Sequence, residues 1–269
     1  MNSILQGNFL RLFVFISSFI FLLSFSYFFY FRAQKNISKK RMFSNISLGV
    51  FNSLILKLII PFSLFQFANL CKASSWGVFN NLPQLDNGGV VSIVISILLL
   101  DILIYWQHRV THLIPILWRL HAVHHSDIEL DTTSGIRFHP IEIICSYVVK
   151  AGFILALGLP AMSILIFEII LSTSSLFNHS NFSFPPRLEK ILRYLIVTPT
   201  MHRIHHSTVV KETNSNYSFS FSIWDRVFSS YTEKAALPQK TMDIGLKEYR
   251  ESSDQNIVNL ILQPFKRKT

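Results

Sequence analysis

The apolar runs limit what this chain can become more than anything else in it. From Leu12 to Phe31 the side chains are mostly apolar, broken only by serines. A helix rises about 1.5 Å per residue, so a run of about twenty crosses a bilayer core of roughly 30 Å. The stretch is too long for the apolar part of a secretion signal, and no small-residue cleavage site precedes the charges that follow, so it reads as a retained helix. A second crossing is expected at about Ile46 to Leu70, with Pro61 inside it predicting a kink or a break. A third, about Val90 to Gln107, follows the turn signal Asn87-Gly88-Gly89. From Ile141 to Phe177 the chain is apolar again around Gly158-Leu159-Pro160, which predicts a hairpin of two short spans. Half of the 269 residues are hydrophobic and 25 are Phe, more than one soluble core of this length usually needs. The expected fold is an all-α integral membrane protein with about four to five transmembrane helices.

Arg32, Lys35, Lys39, Lys40 and Arg41 follow the first run, which places that loop in the cytoplasm and the N-terminus outside. Residues 71–89, with Lys72 and Asp86, then form an outer loop. The same alternation puts residues 108–140 and the section after Phe177 on the cytoplasmic side, where they are expected to form a helical cap. A net charge of +10 suggests nucleic acid in a soluble protein. Here no basic patch interleaves with base-stacking aromatics outside the spans, so no nucleic acid is expected and anionic lipid headgroups are the better partner. Two cysteines, Cys71 and Cys145, imply neither a disulfide framework nor a thiolate metal site.

All ten histidines lie between His108 and His206. Eight of them form three groups: His108 and His112; His121, His124 and His125; and His202, His205 and His206. Residues three or four apart share a helix face, so each group is expected to aim two or three imidazoles at one point. Single histidines usually cap helices or sit satisfied in a core, but neither role gives a reason to repeat this spacing. Imidazole is a nitrogen ligand suited to iron, zinc, copper and nickel. Eight such ligands exceed what one tetrahedral zinc needs, and two metals is the economical count. The topology, argued without the histidines, delivers all of them to one membrane face. A short echo, His121 to Ser134 against His202 to Ser215, suits two similar local units facing one site.

The pattern HxxxH…HxxHH…HxxHH resembles the membrane-bound fatty acid hydroxylase / sterol desaturase superfamily. The likeness extends to Asp101-Ile-Leu-Ile-Tyr105-Trp106-Gln-His108-Arg109, to Trp118-Arg-Leu-His121 and to Arg137-Phe-His139-Pro140. It also takes in Phe177-Asn178-His179-Ser180-Asn181, Asn216-Tyr217 and Trp224-Asp225-Arg226-Val-Phe228, and covers roughly residues 95 to 232. The resemblance implies a histidine-held di-metal centre, two iron ions in most relatives, with O2 as co-substrate. The implied reaction hydroxylates or desaturates an unactivated C–H of a lipid or sterol-like substrate drawn from the bilayer, and the short first box is nearer the hydroxylase branch. His179 joins the metal ligands by the same likeness, and His139 is either a ligand or the cap of the hairpin helix. Asn216 and Asp225 match family positions and are expected to hydrogen-bond ligating imidazoles, or else to serve turns and caps.

Asp101 is costly inside a span unless partnered. It lies about 10 Å of helix rise from His108, so any bond to an imidazole would be to another ligand. Arg109 and Arg203, inside the boxes, are expected to pair with carboxylates or headgroups. No cytochrome-b5-like His-Pro-Gly-Gly motif and no GxGxxG appear, so electrons are expected from a separate donor of cytochrome b5 or ferredoxin type. The rival readings are a histidine-rich membrane metal-binding or transport protein without oxygenase activity, and a zinc site used for hydrolysis or isomerisation. Transporters place ligands near midplane, whereas these histidines sit at span ends.

Three sections are expected: 1–89, an N-terminal membrane-spanning hairpin and loops; 90–233, the catalytic domain; and 234–269, a polar tail ending Lys266-Arg267-Lys268 with no readable chemistry. Within the second, Leu188, Ile191, Leu192, Leu195 and Ile196 form an apolar stripe after Pro185-Pro186. It predicts either an interfacial amphipathic helix or a stripe packed onto the protein's own cap. The histidine face is expected on the cytoplasmic side of a bacterial inner membrane or of the endoplasmic reticulum.

Overall fold

A computed structural model describes residues 2–33, 39–86 and 88–266. Lys35, Asn87 and the last three residues, named above, lie outside the described residues. Among the described residues thirteen α-helices follow in order: α1 Asn2–Phe28, α2 Lys39–Ile59, α3 Leu64–Ala73, α4 Pro83–Asp86, α5 Val90–Leu113, α6 Pro115–His125, α7 Pro140–Leu157, α8 Ala161–His179, α9 Pro186–Leu192, α10 Pro199–His205, α11 Val210–Thr213, α12 Ile223–Val227 and α13 Ile257–Leu262. There is no strand among the described residues. Five stretches are long and apolar enough to cross a membrane: Gly7–Phe28, Lys39–Ala73, Val90–Leu113, Pro140–Leu157 and Ala161–His179. The protein is an all-α integral membrane protein.

Its spans bury little against each other and show lipid a ring of side chains such as Phe9, Phe21, Leu58, Val91 and Val148. The main apolar cluster is built where α3, α5, α7 and α8 meet, from Leu64, Ala68, Leu100, Ile104, Ile154, Ile164 and Phe167. In hydrocarbon no water relieves an unpaired polar group, and two serines in the first half of α5 turn back on its own carbonyls or the one at its cap. Ser96 Oγ donates to Ser92 O at 2.6 Å, and Ser92 Oγ to Gly89 O at 2.9 Å.

The predicted hairpin is α7 and α8. Pro140 sits in the first turn of α7, and Gly158 ends it in the left-handed region (φ 68°), which a side chain would strain. The same glycine lets the loop after α3 approach, since a Cβ there would meet Trp76 O at 2.6 Å.

The second crossing contains the expected stretch, and its first turns pack beside the histidine-bearing section. Asn52 Nδ2 donates to Phe138 O, two residues before α7 begins, at 2.8 Å. Residues 39–52 therefore run beside the cap, and the crossing continues through a break at Pro61 into α3, which Ser63 and Gln66 start with a capping box. The reason is polar: Arg41, 1 % exposed, needs Asp127 at 2.8 Å and Asp131, and Asn45 reaches Asp127 at 2.9 Å. α1 packs along α8, whereas α2 packs on residues 132–136 and on α7. Residues 234–266 are folded onto the cap, with Gln255 accepting from Arg137 Nη1 at 2.8 Å and Gln263 from Ser126 Oγ at 3.0 Å.

Candidate metal centre

The last two turns of α5 carry His108 and His112 beyond its apolar stretch. Ile114 is extended, because Pro115 opens α6, so the chain turns and brings His121, His124 and His125 back over the end of α5. α8 ends on His179. Thr198 caps α10, with Pro199 at its first position, and α10 presents His202 and His205, with His206 at its C-cap.

Nine of the ten histidines gather into two groups, His108, His112, His121, His125 and His205 in one, and His124, His179, His202 and His206 in the other, with the ligand atoms of each group within 4.8 Å of one another. The groups adjoin, with the His125 and His206 rings stacked at 4.4 Å. His108 and His112 aim at one point as expected, whereas each three-histidine box sends two imidazoles to one group and the third to the other. The i, i+4 pair His121/His125 serves the first group while His124, between them, serves the second. On α10 the roles reverse: His202 and His206 serve the second group and His205 the first. A helix turns about 100° per residue, so one three-histidine box necessarily faces two ways. The sequence echo is thus a structural exchange between two units.

Backbone carbonyls set the tautomers. Nδ1–H of His108 donates to Tyr217 O at 2.8 Å, that of His205 to Ser215 O at 2.7 Å, that of His124 to Arg137 O at 3.1 Å and that of His179 to Ser175 O at 2.7 Å. With Nδ1 protonated, each neutral ring offers Nε2 as a lone pair. Yet His108 and His205 face each other Nε2 to Nε2 at 3.0 Å, and His124 and His179 at 3.1 Å. His202 Nε2 lies 3.1 Å from His179 Nε2 and 3.1 Å from His206 Nε2. In the first group Nε2 of His112, His121 and His125 is buried with no hydrogen-bond partner. In the His108/His205 and His124/His179 pairs, where both Nδ1 protons are committed to carbonyls, lone pairs turned on lone pairs in a buried site repel unless a cation stands between them, so the donor set fits metal ions. Protons do not relieve it: burial first, then the neighbouring imidazoles, hold His124, His125, His202, His205 and His206 well below the ordinary histidine range. Aromatic rings close the site against water, with Phe138 stacked on His124 at 4.3 Å and Trp118 against His112 at 4.8 Å.

His139 stands apart from both groups. Its Nδ1 accepts from Ile141 N at 3.2 Å and its Nε2 lies 3.1 Å from Ile261 O, so neither nitrogen is left for a metal. Of the two roles expected for it, the helix cap is the one its geometry displays.

Asp101, Asn216 and Asp225 have no hydrogen bond to an imidazole among the described residues. Each holds backbone instead. Asp101 Oδ2 accepts from Trp224 Nε1 at 2.8 Å and Phe221 N at 3.2 Å. Asp225 accepts from Tyr217 N at 2.7 Å and Ser218 N at 3.0 Å. Asn216, at φ 52°, accepts from Thr232 N at 2.8 Å and donates to Thr232 O at 2.9 Å. It lies between Ser215 and Tyr217, the two residues whose carbonyls orient His205 and His108, so its influence on the rings passes through the loop. Among the described residues Arg109 and Arg203 do not pair with carboxylates either: Arg109 donates to Tyr105 OH and Phe228 O, and Arg203 to Gln239 Oε1 and Phe182 O.

The contact that the spacing did not reveal is Glu142, whose Oε1 lies 2.7 Å from His121 Nδ1. Its signal was an acid at the head of an apolar run, which a helix N-terminus also explains. A second omission is Arg137. Its guanidinium donates to Val123 O at 2.8 Å and Ser126 Oγ at 2.7 Å, while its own carbonyl takes the His124 proton.

The family model for fatty acid hydroxylase matches residues 93–230, more than half of the chain. The chain belongs to the fatty acid hydroxylase family. That matched stretch holds all nine clustered histidines of this family member. Among curated proteins it is similar to ornithine lipid hydroxylase OlsE of Rhizobium tropici, 29 % identical over 176 residues, 65 % of this chain and 51 % of that one. It is also similar to the alkylglycerol monooxygenase of Homo sapiens, 27 % identical over 132 residues, 47 % of this chain and 27 % of that one. A third relative is very-long-chain aldehyde decarbonylase GL1-4 of Oryza sativa subsp. japonica, 28 % identical over 176 residues, 62 % and 26 % of the two chains. The match spans about half the length of the first of these relatives and about a quarter of the others. No solved structure matches the chain.

Proposed function

We propose that this protein hydroxylates a bilayer lipid at an unactivated C–H, using O2 and two metal ions, both iron, held by the nine clustered histidines. One observation carries the reading: two adjoining sets of buried imidazole lone pairs, with no thiolate among them, at the ends of apolar helices. A pair of irons, when bound, supplies the redox chemistry that lets O2 attack a bond no side chain can deprotonate. The balance is R–H + O2 + 2 e⁻ + 2 H⁺ → R–OH + H2O, so two electrons are needed, and in this reading a separate donor protein of cytochrome b5 or ferredoxin type supplies them.

The chain's own residues perform the rest. His108, His112, His121, His125 and His205 hold one ion, and His124, His179, His202 and His206 the other. The carbonyls of Ser175, Arg137, Ser215 and Tyr217 keep Nε2 free to ligate, and Glu142 adds negative charge behind His121. Phe138, Trp118 and Tyr217 exclude water from the rings. The family match and the names of the relatives, a lipid hydroxylase and an alkylglycerol monooxygenase among them, support a lipid substrate and monooxygenation. Residues 90–233 form the catalytic unit in this reading. The histidine side faces the cytosol by the charge rule, although Arg32 and Arg41 of the basic loop are taken up by bonds to the cap.

The test pairs metal analysis of protein purified without added metal with lipid mass spectrometry of cells that have or lack the gene. Two irons per chain and a lipid differing by one oxygen are expected. Zinc alone, or an unchanged lipid profile, would overturn the reading.

A further inference from the structure

The outer edge of the stripe is exposed. Leu188 and Ile191 on α9 and Leu195 just after it are 42 %, 62 % and 64 % exposed, whereas Leu192 and Ile196 are half-buried, so only the inner edge packs onto the protein. On the adjacent helix α12, Ile223 and Val227 are 47 % and 59 % exposed. The two helices are tied into one platform. Ser222 N donates to Leu195 O at 3.3 Å, Val197 N to Ser220 O at 3.1 Å, and Ile196 pairs with Phe221 in an antiparallel bridge.

The depth of that platform follows from Asp101. This carboxylate lies in the middle of the α5 span, about 10 Å of helix rise below His108 and about 16 Å above Val90. Its Oδ2 holds Trp224 Nε1 and Phe221 N, so α12 and the bridge beside it sit at the level of the hydrocarbon. Trp106, on an exposed face of α5, meets Phe228 at the end of α12 at 4.9 Å and continues the same apolar surface. An aqueous exposure of these side chains would cost on the order of 25 cal/mol for each Å² left in water, whereas a leaflet covers them without cost.

The rim of the platform is basic. A groove of about 920 Å³ beside α9 is lined by Lys190, Tyr194, Arg226, Tyr231 and Lys234, among others. The Arg226 guanidinium stacks on the Tyr231 ring at 4.0 Å and on Tyr194 at 4.9 Å, a cation held between aromatics at the edge of an apolar surface. Two carboxylates also reach the groove. Glu189 is committed to Arg193 at 2.5 Å, and Glu233 is exposed at its mouth.

We propose that α9 and α12 form a platform immersed in the leaflet on the histidine side, and that the groove at its edge seats the headgroup of an anionic phospholipid. The loop between α11 and α12, which carries Tyr217 and Phe219 to the histidine rings, is thereby anchored at acyl-chain depth. A lipid tail can then pass from the leaflet to the site without crossing water. The proposal depends on α5 being a span and not on the identity of the metal or the reaction.

The test uses the full chain in nanodiscs, in a Cys145→Ser background, since Cys71 is buried. Nitroxides are placed on Leu195→Cys and Ile223→Cys, with Ser252→Cys, exposed in the polar run Arg250 to Ser253, as the aqueous control. Expected is greater collision with O2 than with a soluble nickel chelate at 195 and 223, and the reverse at 252. Chelate access at 195 and 223 equal to that at 252 would overturn the proposal. Shielding that appears only after a soluble extract is added would overturn it too, by assigning the surface to a protein. For the headgroup, phosphatidylglycerol should be retained on purification several-fold over phosphatidylcholine, and the preference should vanish in Lys190→Gln/Lys234→Gln. Equal retention of the two lipids by the unchanged chain would sink that half of the proposal.

Discussion

Glu142, in the first turn of α7, sets its Oε1 2.7 Å from Nδ1 of His121, while Nε2 of the same ring points into the first histidine group without a hydrogen-bond partner. A carboxylate behind a ligating imidazole fixes the tautomer and raises the basicity of the far nitrogen. Glu142→Ala is expected to weaken metal binding about 10–100-fold. Glu142→Gln, which keeps an acceptor but not the charge, should fall between. Chelator competition measures both, and unchanged affinity in Glu142→Ala would remove Glu142 from the account.

His124 and His139 separate a ligand from a cap. His124→Ala takes one of four nitrogens from the second group and should lower bound metal and abolish lipid hydroxylation. His139→Ala should leave metal content intact and cost about 1 kcal/mol of stability, the usual loss with a helix cap. Metal analysis alongside thermal melts distinguishes them. Metal loss in His139→Ala would put that ring back among the ligands.

Arg41 is the fully buried counter-ion of Asp127 and Asp131, and Asp127 lies two residues beyond His125. Burial alone would raise the Asp127 carboxyl, but Arg41 and Arg137 hold it below its ordinary value. Removing one partner leaves buried charge uncompensated, so Arg41→Met is expected to destabilise the chain by about 3–5 kcal/mol. Arg41→Lys should be milder but not neutral, because one ammonium cannot fork across two carboxylates. Melting in detergent is the measurement, and a wild-type melt for Arg41→Met would refute the clamp.

Metal retention should depend on pH in one direction. His124, His125, His202, His205 and His206 titrate below the ordinary value in the folded chain. As pH falls through about 6.5 the unfolded chain therefore takes up protons first, and stability is lost on the acid side. Metal ligation needs the same neutral rings, so bound metal should be constant above neutrality and fall below about pH 6.5. Equilibrium dialysis across that range checks it, and retention that rises with acid would contradict the assignment.

Much of this was legible in the residue order. The spans announce themselves because hydrocarbon tolerates only long apolar helices with every backbone group paired. The three boxes announce themselves because ligand spacing has no packing explanation. Asp101 was legible as a residue needing a partner, but not as the holder of Trp224, 123 positions away. Arg41 looked like one more charge in a topogenic loop until α2 was seen to carry it into the cap.

The amino-acid sequence by itself determined the membrane class, the gathering of the histidines on one face and the family, since each depends on composition and local spacing. Only the tertiary structure decided how nine imidazoles divide into five and four, why His139 stands aside, and that a carboxylate backs His121. Those outcomes depend on which face of one helix meets which face of another, and on where loop carbonyls end up. Spacing along a single helix carries no record of either.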